Sequence, residues 1–535
     1  MNIQMHLNYK YMNKKSFIPV SLAIGSSVIG GCAQQKAEKP ADNERPNILW
    51  IIAEDMTLDL GCYGCPAVKT PNIDRLAAEG VMYTNARCCA PLSSPTRSAM
   101  LTGLHHTITA SHNHRSNRDK ALPDSIKPFT YYLREAGYTC ILGDRDCFEN
   151  PNNTTSDHES SRKIDCNFRY DRTGEYDGKT KFGLFDKLYD IDPTSDMPFF
   201  KQVTLYVTHR GDWWKSIREQ SEHPVNPAEV VLPPYMADHP KIREEYACYL
   251  DQVEYMDAEV GKLMKKLEDD NLKDNTIVIF IADNGRADIR AKGFLYDEGT
   301  RVPMIVWGKG IEHAVVNELV SELDITASIL HLAGIEQPSY YQGKPLNIFD
   351  AESKDGHEYV YTARDNWDEV MECIRGVNDD RYVYIRNYFP QDPYDQHHIY
   401  MDLYRPALHI MRRLKAENKL NSTQLLFLAD SKPVEELYDY TADPYCVNNL
   451  AAKPEMLPVL NRMREYMDDW NRNNYDAGIE DRLTRKLDDS RRDENRPRYF
   501  VQKYHPEEWQ KLLDGEICDK YDLWKKELKE LKNKK

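Results

Sequence analysis

Two pairs of adjacent polar residues each follow a run of apolar residues, and together they could hold a metal ion. Glu54 and Asp55 follow the first run, and Asp283 and Asn284 follow the second. Such runs are typical of strands buried on both faces of a parallel sheet, and the sites of α/β proteins lie at the carboxyl edge of these strands. Three carboxylates at one edge would repel one another without a cation, and oxygen ligands favour Ca²⁺ or Mg²⁺ over Zn²⁺. On its own, the pattern also fits helix caps or loop residues.

A longer motif lies between these two pairs. The segment from Pro91 to Gly103 reads Pro-Leu-Ser-Ser-Pro-Thr-Arg-Ser-Ala-Met-Leu-Thr-Gly. It closely resembles the maturation signature of the type I sulfatase family, which is Cys or Ser, any residue, Pro, a small residue and Arg, followed by Leu-Thr-Gly. Ser93 stands at the first position and Arg97 at the Arg position. The resemblance implies that a sulfatase-maturing enzyme oxidises Ser93 to formylglycine before export. Without the family context, the segment would be only a helix start with Ser and Pro caps.

The resemblance extends over most of the chain. It implies an alkaline phosphatase-like α/β fold, with a large, mixed, mostly parallel sheet flanked by helices. It also implies a sulfuric ester hydrolase that removes sulfate from a sulfated carbohydrate. The further matching blocks are Pro46–Asp55, Thr70–Gly80, Asp283–Gly285, Lys292–Pro303, Leu323–Thr326 and Glu436–Asp439.

The family pattern also implies a role for each site residue. Arg97 would hold the hydrated aldehyde or its sulfated form. Lys292 would contact the sulfate and help the leaving group, and His209 would lie at the sulfate as a proton donor to the leaving group. The aldehyde hydrate would attack sulfur and then eliminate sulfate, whereas an unmodified serine would leave a stable sulfate ester. The Ca²⁺ ligands would be Glu54, Asp55, Ser93, Asp283 and Asn284, with Glu54 standing where the family more often has Asp.

One family block, a Lys-x-His pair, has no direct counterpart. The expected turn, Gly143–Asp146, has neither residue. The later segment Arg162–Phe168 resembles a Lys-Thr-Asp-Tyr-Asn-Phe variant of some bacterial sulfatases. It assigns Lys163 to the sulfate and Asp165 to the His position, with Arg145 as the alternative cation.

Residues that contact the saccharide are expected in two places. His112, His114 and Arg115 follow the helix that carries Ser93, and this loop is equally compatible with a polar surface. Arg364 and Asp365 lie in the C-terminal part of the chain and are expected to face the cleft.

Predicted strands and helices alternate along the chain and carry these residues. Strands are predicted at 48–53, 138–142, 199–207 and 276–282, and helices at 70–80, 127–137 and 242–269. This alternation favours a doubly wound α/β sheet. Short strands after residue 350 predict a smaller α+β subdomain with an antiparallel sheet. The predicted division is a catalytic domain at 46–350 and a C-terminal subdomain at 351–535, whose Lys-rich end from Leu523 is expected to be an exposed helix.

The first 45 residues have the pattern of a targeting segment. Three lysines precede an apolar run that ends in Gly31 and Cys32, as in a bacterial lipoprotein signal. We expect a signal peptide at 1–31, a lipid anchor to the membrane at Cys32 and a polar tether at 32–45. The protein would then be exported to the periplasm or cell surface. An ordinary signal peptide is the alternative. The other eleven cysteines are scattered and are expected to be mostly buried thiols, although Cys62 and Cys65 could bond.

Composition limits the partners. The 535 residues are 41% hydrophobic and 29% charged, with a net charge of −16. So acidic a chain is a poor candidate for nucleic acid or for diffuse polyanion binding. It can still bind one sulfate in a local cationic pocket.

Three alternatives to an O-sulfatase stay open. One is a sulfamidase that acts on N-sulfated glucosamine. Another is a phosphohydrolase of the same superfamily, which would use an unmodified Ser or Thr and prefer Zn²⁺ with several His ligands, which the strand ends lack. The third is a degenerate glycan-binding lipoprotein, which is suggested by Asp144, Asp146 and Asp165.

Overall fold

A computed structural model describes residues 45–115, 120–148, 161–170, 183–350, 352–353, 356–368, 370–484 and 497–534. The predicted signal peptide and, except for Arg45, the predicted tether with Cys32 lie outside these residues. Within the described residues, no helix combines the length and the apolar character that a bilayer span needs. Eleven cysteines are described, and none of these, including the half-buried Cys62 and Cys65, forms a disulfide.

Nine strands form the larger sheet, in the order β4-β3-β5-β1-β6-β7-β2-β8 with β9 beside β2. They are β1 (Asn47–Ala53), β2 (Val81–Arg87), β3 (Thr139–Leu142), β4 (Lys187–Leu188), β5 (Phe199–Leu205), β6 (Thr276–Ala282), β7 (Arg301–Gly308), β8 (Ala314–Val316) and β9 (Val320–Ser321). Among the described strands, only β7 runs against its neighbours, β6 and β2. The predicted mixed, mostly parallel sheet is therefore confirmed.

The register of the central strands brings the predicted site residues together. β1 pairs in parallel with β5 on one side and with β6 on the other. Ala53 lies opposite Leu205 and also opposite Ala282. The three strands therefore end at the same level, and the residues that follow them meet at one edge of the sheet.

Helices cover the sheet, and the longest buries an apolar stripe. It begins at Pro240, where proline suits the first turn, and its Val253, Met256 and Val260 are buried at spacings of three and four. The helices of this part are α1 (Pro71–Glu79), α2 (Ser93–Thr102), α3 (Phe129–Glu135), α4 (Trp213–Gln220), α5 (Pro240–Asp269), α6 (Asp297–Thr300) and α7 (Glu322–Leu332), with short 3-10 turns at Gly61–Tyr63 and Lys273–Asn275.

A second sheet is antiparallel and follows the first in the chain. Its strands, in spatial order, are β10 (Val360–Arg364), β11 (Ile374–Asn378), β12 (Tyr382–Asn387) and β13 (Glu435–Asp439). Leu460, Met463 and Met467 of one helix form a common core with side chains of this sheet. The accompanying helices are α8 (Ile399–Tyr404), α9 (Pro406–Ala416), α10 (Leu457–Asn473) and α11 (Ala477–Thr484), with a 3-10 turn at Pro454–Met456.

The end of the chain forms a small helical layer with its own apolar cluster. It contains α12 (Pro497–Tyr504), α13 (Pro506–Leu513) and α14 (Tyr521–Asn533). Trp524 and Leu528 of α14 are buried in one cluster with Leu403 of α8. The expectation of a merely exposed Lys-rich helix is therefore wrong for one face, because that face carries the apolar residues that anchor it.

Candidate active site

Three buried carboxylates lie together at the carboxyl edge of the larger sheet. Glu54 and Asp55 follow β1, Asp283 follows β6, and each offers an oxygen atom within 4.8 Å of the others. The Asp55 backbone N–H donates to Asp283 Oδ1 over 3.0 Å, and Asn284 Nδ2 donates to Asp55 Oδ1 over 2.9 Å. Asp55 Oδ2 is buried and has no hydrogen-bond partner. Oxygen donors with one unpartnered carboxylate atom fit a hard divalent cation.

Ser93 faces this cluster from the first position of α2. Its Oγ donates to Asn284 Oδ1 over 3.3 Å. The first turn of a helix carries unpaired N–H groups and a partial positive charge, so an anion is favoured there. Glu322 supports the turn by accepting hydrogen bonds from the Cys89 backbone N–H and Thr96 Oγ1. Burial raises the pKa of Glu322 to about 8, so this carboxyl group is largely neutral at pH 7.

Arg97 lies one helical turn beyond Ser93 and ties the strand ends together. Its Nε is 3.1 Å from Asp283 Oδ2, and its guanidinium also contacts Glu54 and donates to Thr204 of β5. Burial alone would lower the pKa of Arg97, but Glu54 and Asp283 outweigh it and raise the pKa. Arg97 is therefore a fixed positive charge beside Ser93.

Lys163, and not Arg145, reaches the carboxylates. Lys163 Nζ contacts Glu54 and lies 3.7 Å from Asp165 Oδ2, whereas the exposed Arg145 is 3.6 Å from Asp190. Burial, with repulsion from nearby arginines, lowers the pKa of Lys163 to about 8. Burial would raise the pKa of Glu54, but Arg97 and the two lysines near it hold that pKa at about 2.

Lys292 and His209 complete the base of the site. Lys292 Nζ contacts Asp55 Oδ1, and His209 Nε2 lies 3.9 Å from Asp55 Oδ2. Burial, then Lys163 and Lys292, lower the pKa of His209 well below its usual value, so the imidazole is neutral. Its Nδ1 is 3.0 Å from the Arg210 carbonyl oxygen and must donate to it. In the neutral ring Nε2 is then an acceptor, and proton donation by His209 stays a prediction. Lys292 Nζ, which contacts Asp55 Oδ1, carries N–H donors at the same place.

A cavity of about 120 Å³ opens above Lys292 and His209. Its wall is rich in aromatic rings and includes residues from α8 and from α14. The other residues that line it are His114, Arg115, Tyr206, Arg210, Trp213, Trp367, Asp368, Ile399, Tyr400, Tyr404, Tyr521, Asp522 and Lys525.

A sulfatase family model matches residues 46–335, which is more than half of the chain. The chain belongs to the sulfatase family. The C-terminal model of N-sulphoglucosamine sulphohydrolase matches residues 285–407. The predicted family, fold class and enzyme class are thereby confirmed.

Individual relatives agree with the family match. An ulvan-active sulfatase of Formosa agariphila is 29% identical over 474 residues, covering 82% of this chain and 76% of the relative. A Homo sapiens N-acetylgalactosamine-6-sulfatase is 30% identical over 345 residues, covering 57% and 65%. The solved structure of a 2-O GAG sulfatase has a TM-score of 0.54 at 21% identity and covers 84% of this chain and 96% of its own.

The expected saccharide contacts of this sulfatase divide into two groups. His114 and Arg115 line the cavity. His112 is not among the lining residues, and its Nε2 lies 2.8 Å from Asp481 Oδ2. Arg364 packs over the ring of Phe294 and Asp365 pairs with Arg375, so the cleft-facing prediction for these two does not hold. Both side chains are instead used to hold the second sheet.

The segment that follows β10 contributes Trp367 and Asp368 to the cavity in their place. Asp368 Oδ1 lies 3.1 Å from His114 Nδ1, and Asp368 has a positive φ of 48°, a conformation uncommon outside glycine. The sequence could have indicated Trp367 and Asp368, because an aromatic residue next to a carboxylate is a common pattern in saccharide sites. Tyr521 and Lys525 gave no such signal, because only the packing of α14 brings them to the site.

Proposed function

We propose that this sulfatase hydrolyses sulfate esters of a saccharide, using a formylglycine made from Ser93 and a Ca²⁺ ion. One observation carries the proposal: Ser93 Oγ is 3.3 Å from Asn284 Oδ1, beside the three-carboxylate cluster. Arg97, Lys163 and Lys292 contact carboxylates of this cluster, so three cations face three carboxylates at the base of the site.

The donor set fits the two groups that the family implies. Glu54, Asp55, Asp283 and Asn284 provide oxygen ligands, and the unpartnered Asp55 Oδ2 leaves a place for a cation. A bound Ca²⁺ would neutralise charge on the sulfate oxygens, and the hydrated formylglycine would supply the nucleophilic hydroxyl. The sulfatase-maturing enzyme would act on Ser93 before export.

The side chains of the chain itself bind and orient the ester. Arg97 cannot lose its charge, so it supplies a fixed donor beside Ser93. Lys163 and Lys292 add positive charge, and Lys292 at the base of the cavity is placed to give a proton to the leaving oxygen. His209 Nε2, as an acceptor, can fix the orientation of a hydroxyl group. Burial of all these groups strengthens each electrostatic contact.

A carbohydrate substrate follows from the relatives and from the cavity wall. The relatives are named for ulvan, N-acetylgalactosamine 6-sulfate and GAG substrates. Tyr400, Tyr404 and Trp367 give this cavity flat apolar faces next to polar groups, which suits a sugar ring. The sulfated glycan is therefore the proposed substrate of this chain.

A second candidate is a sulfamidase that acts on N-sulfated glucosamine. The N-sulphoglucosamine sulphohydrolase model matches 285–407, a range that includes the cavity residues Lys292, Trp367 and Tyr404. The sulfamidase and the O-sulfatase are distinguished by their substrates. A sulfamidase should release sulfate from glucosamine that bears one N-sulfate, and an O-sulfatase from glucosamine that bears one O-sulfate. The phosphohydrolase is less favoured because, among the described residues, the one cluster at metal-ligand spacing contains no His.

We propose further that the protein is an exported lipoprotein anchored through Cys32, in the periplasm or at the cell surface. The support is the basic start, the apolar run and Gly30-Gly31-Cys32 in the sequence. Metabolic labelling with a fatty acid should mark the wild type and not Cys32→Ala. Equal labelling of both would contradict the anchor.

The proposed chemistry is tested by sulfate release from sulfated saccharides after co-expression with a serine-type maturing enzyme. Ser93→Ala should abolish release, because no nucleophile can form. Ser195→Ala is the control, since this exposed serine lies in a loop outside the site. Sulfate release by Ser93→Ala at the wild-type rate would contradict the mechanism, and binding without any release by the wild type would favour the degenerate glycan-binding protein.

A further inference from the structure

The last helix of the chain is held at the mouth of the cavity. The Asp212 carboxylate accepts hydrogen bonds from the backbone N–H groups of Tyr521 and Asp522, over 3.0 Å and 2.9 Å. Asp212 is 4% exposed and lies three residues after His209. It thus caps the N-terminus of α14 with charge-assisted hydrogen bonds. Since the buried Trp524 anchors the same helix, α14 has a defined position over the site.

A continuous series of aromatic rings leads from the base of the cavity to this helix. The rings of His209 and Tyr400 are 5.8 Å apart, those of Tyr400 and Tyr404 are 5.2 Å apart, and those of Tyr404 and Tyr521 are 4.4 Å apart. Both ends of the series line the cavity. The series therefore runs along the cavity wall from His209, which lies beside Lys292, to the start of α14.

A cation stands at the outer end of this series. Lys525 lines the cavity, and its side chain is 49% exposed. Its Nζ lies 2.9 Å from Asp522 Oδ1 and 4.8 Å from the centre of the Tyr521 ring. Arg115 adds a second charge on the wall and is 45% exposed. Asp522 pairs with Lys525 and Arg115 lies 3.7 Å from Asp165 Oδ2, while the three N–H donors of an exposed ammonium group leave Lys525 able to bind a second anion from solvent.

We propose that Tyr404, Tyr521 and Lys525 form a second saccharide subsite. The two tyrosine rings pack against the sugar unit linked to the sulfated one, and Lys525 pairs with an anionic group on that unit, either a carboxylate or a second sulfate. This rests on the proposed function. Both matched family models end at or before residue 407, so Tyr521 and Lys525 lie outside the residues that they match.

The test compares four substrates that share one sulfated unit: the monosaccharide, and disaccharides whose second unit is neutral, bears a carboxylate or bears a sulfate. Lys525→Met should raise KM about tenfold for an anionic disaccharide, because one charge-assisted contact is lost. The monosaccharide and neutral disaccharide should be unaffected. The anionic disaccharide whose KM rises shows whether Lys525 binds a carboxylate or a sulfate. Tyr521→Ala should raise KM for all three disaccharides and leave the monosaccharide unchanged.

Lys526→Met is the matched control, because this exposed lysine is the next residue on the same helix and does not line the cavity. Identical kinetics for Lys525→Met and Lys526→Met on all four substrates would overturn the subsite. An equal loss on the monosaccharide would overturn it as well.

The same four saccharides are also titrated calorimetrically into Ser93→Ala, with and without Lys525→Met. Weaker binding of an anionic disaccharide on Lys525→Met supports the subsite even if no protein releases sulfate, in which case only the proposed function fails. If Lys525→Met changes neither the binding of anionic disaccharides nor their KM, the subsite is overturned. Sulfate release by the wild type in the same experiment would still uphold the proposed function.

Discussion

The base of the site and its mouth are built in opposite ways. Ser93, Arg97 and Asp283 at the base are at most 2% exposed, and they come from strand ends and from the start of a helix. Arg115 and Lys525 at the mouth are 45% and 49% exposed and come from a loop and from the last helix. The base holds charges rigidly, as chemistry requires. The mouth uses elements that can change without disturbing the large sheet, so it is suited to substrate choice.

Among variants that keep Ser93, the largest effect is expected at Arg97, the centre of the base. Arg97→Lys keeps the charge but loses the fork that joins Glu54, Asp283 and Thr204. We expect kcat/KM for sulfate release to fall by about 10²–10³-fold, mainly through kcat. Arg472→Lys, at an exposed position, is the control. A nearly wild-type rate would remove Arg97 from the proposed chemistry.

The next effect concerns the cation. Chelation should lower the rate about a hundredfold and lower the melting temperature, and added Ca²⁺ should restore both, since a ligand that binds only the folded state stabilises it. Asp283→Asn should weaken the Ca²⁺-dependent rise in melting temperature because it removes one carboxylate of the cluster. A melting temperature that does not respond to Ca²⁺ in the wild type would speak against this site.

At the mouth the effect should be smaller and of another kind. Asp368 lines the cavity beside His114, so Asp368→Asn should raise KM for a saccharide several-fold with kcat nearly unchanged. Asp430→Asn, at a fully exposed residue, provides the comparison. If Asp368→Asn instead lowered kcat as strongly as Arg97→Lys, the division between base and mouth would be wrong.

The smallest effect is expected at Glu322, which supports the helix turn that carries Ser93, and concerns the pH dependence of the melting temperature. Burial raises the pKa of Glu322 to about 8 from its ordinary value of 4.5, so its contribution to folding is complete below pH 4.5 and is lost as the pH rises through 8. Glu322→Gln mimics the neutral form and should lose less melting temperature than the wild type between pH 6 and pH 9. Glu318→Gln, at an exposed position, should follow the wild type. Parallel pH curves for Glu322→Gln and the wild type would contradict a neutral Glu322.

The base of the site could be predicted from sequence far better than the mouth. Asp55 and Asp283 follow apolar runs, and parallel strands end at one edge, so local patterns were enough to bring them together. Ser93 and Arg97 lie within one continuous motif. The tautomer of His209, in contrast, depends on the carbonyl of Arg210 that its Nδ1 meets, which only the folded backbone supplies.

The mouth depends on contacts between distant parts of the chain. Tyr521 reaches the cavity because Asp212, which is 309 residues away, caps its helix. Arg364 and Asp365 were expected there, but Arg364 packs on Phe294 and Asp365 pairs with Arg375, so both are buried. The segment that follows presents Trp367 and Asp368. No periodicity or motif in the sequence encodes these arrangements.

The central claim is that Ser93 becomes the formylglycine of a sulfate ester hydrolase. The most direct measurement is the mass of the peptide that contains Ser93, taken from protein isolated with a serine-type maturing enzyme and tested in parallel for sulfate release. We expect this peptide to lack two hydrogens relative to unmodified serine and the same preparation to release sulfate. An active preparation in which Ser93 is wholly unmodified would contradict it.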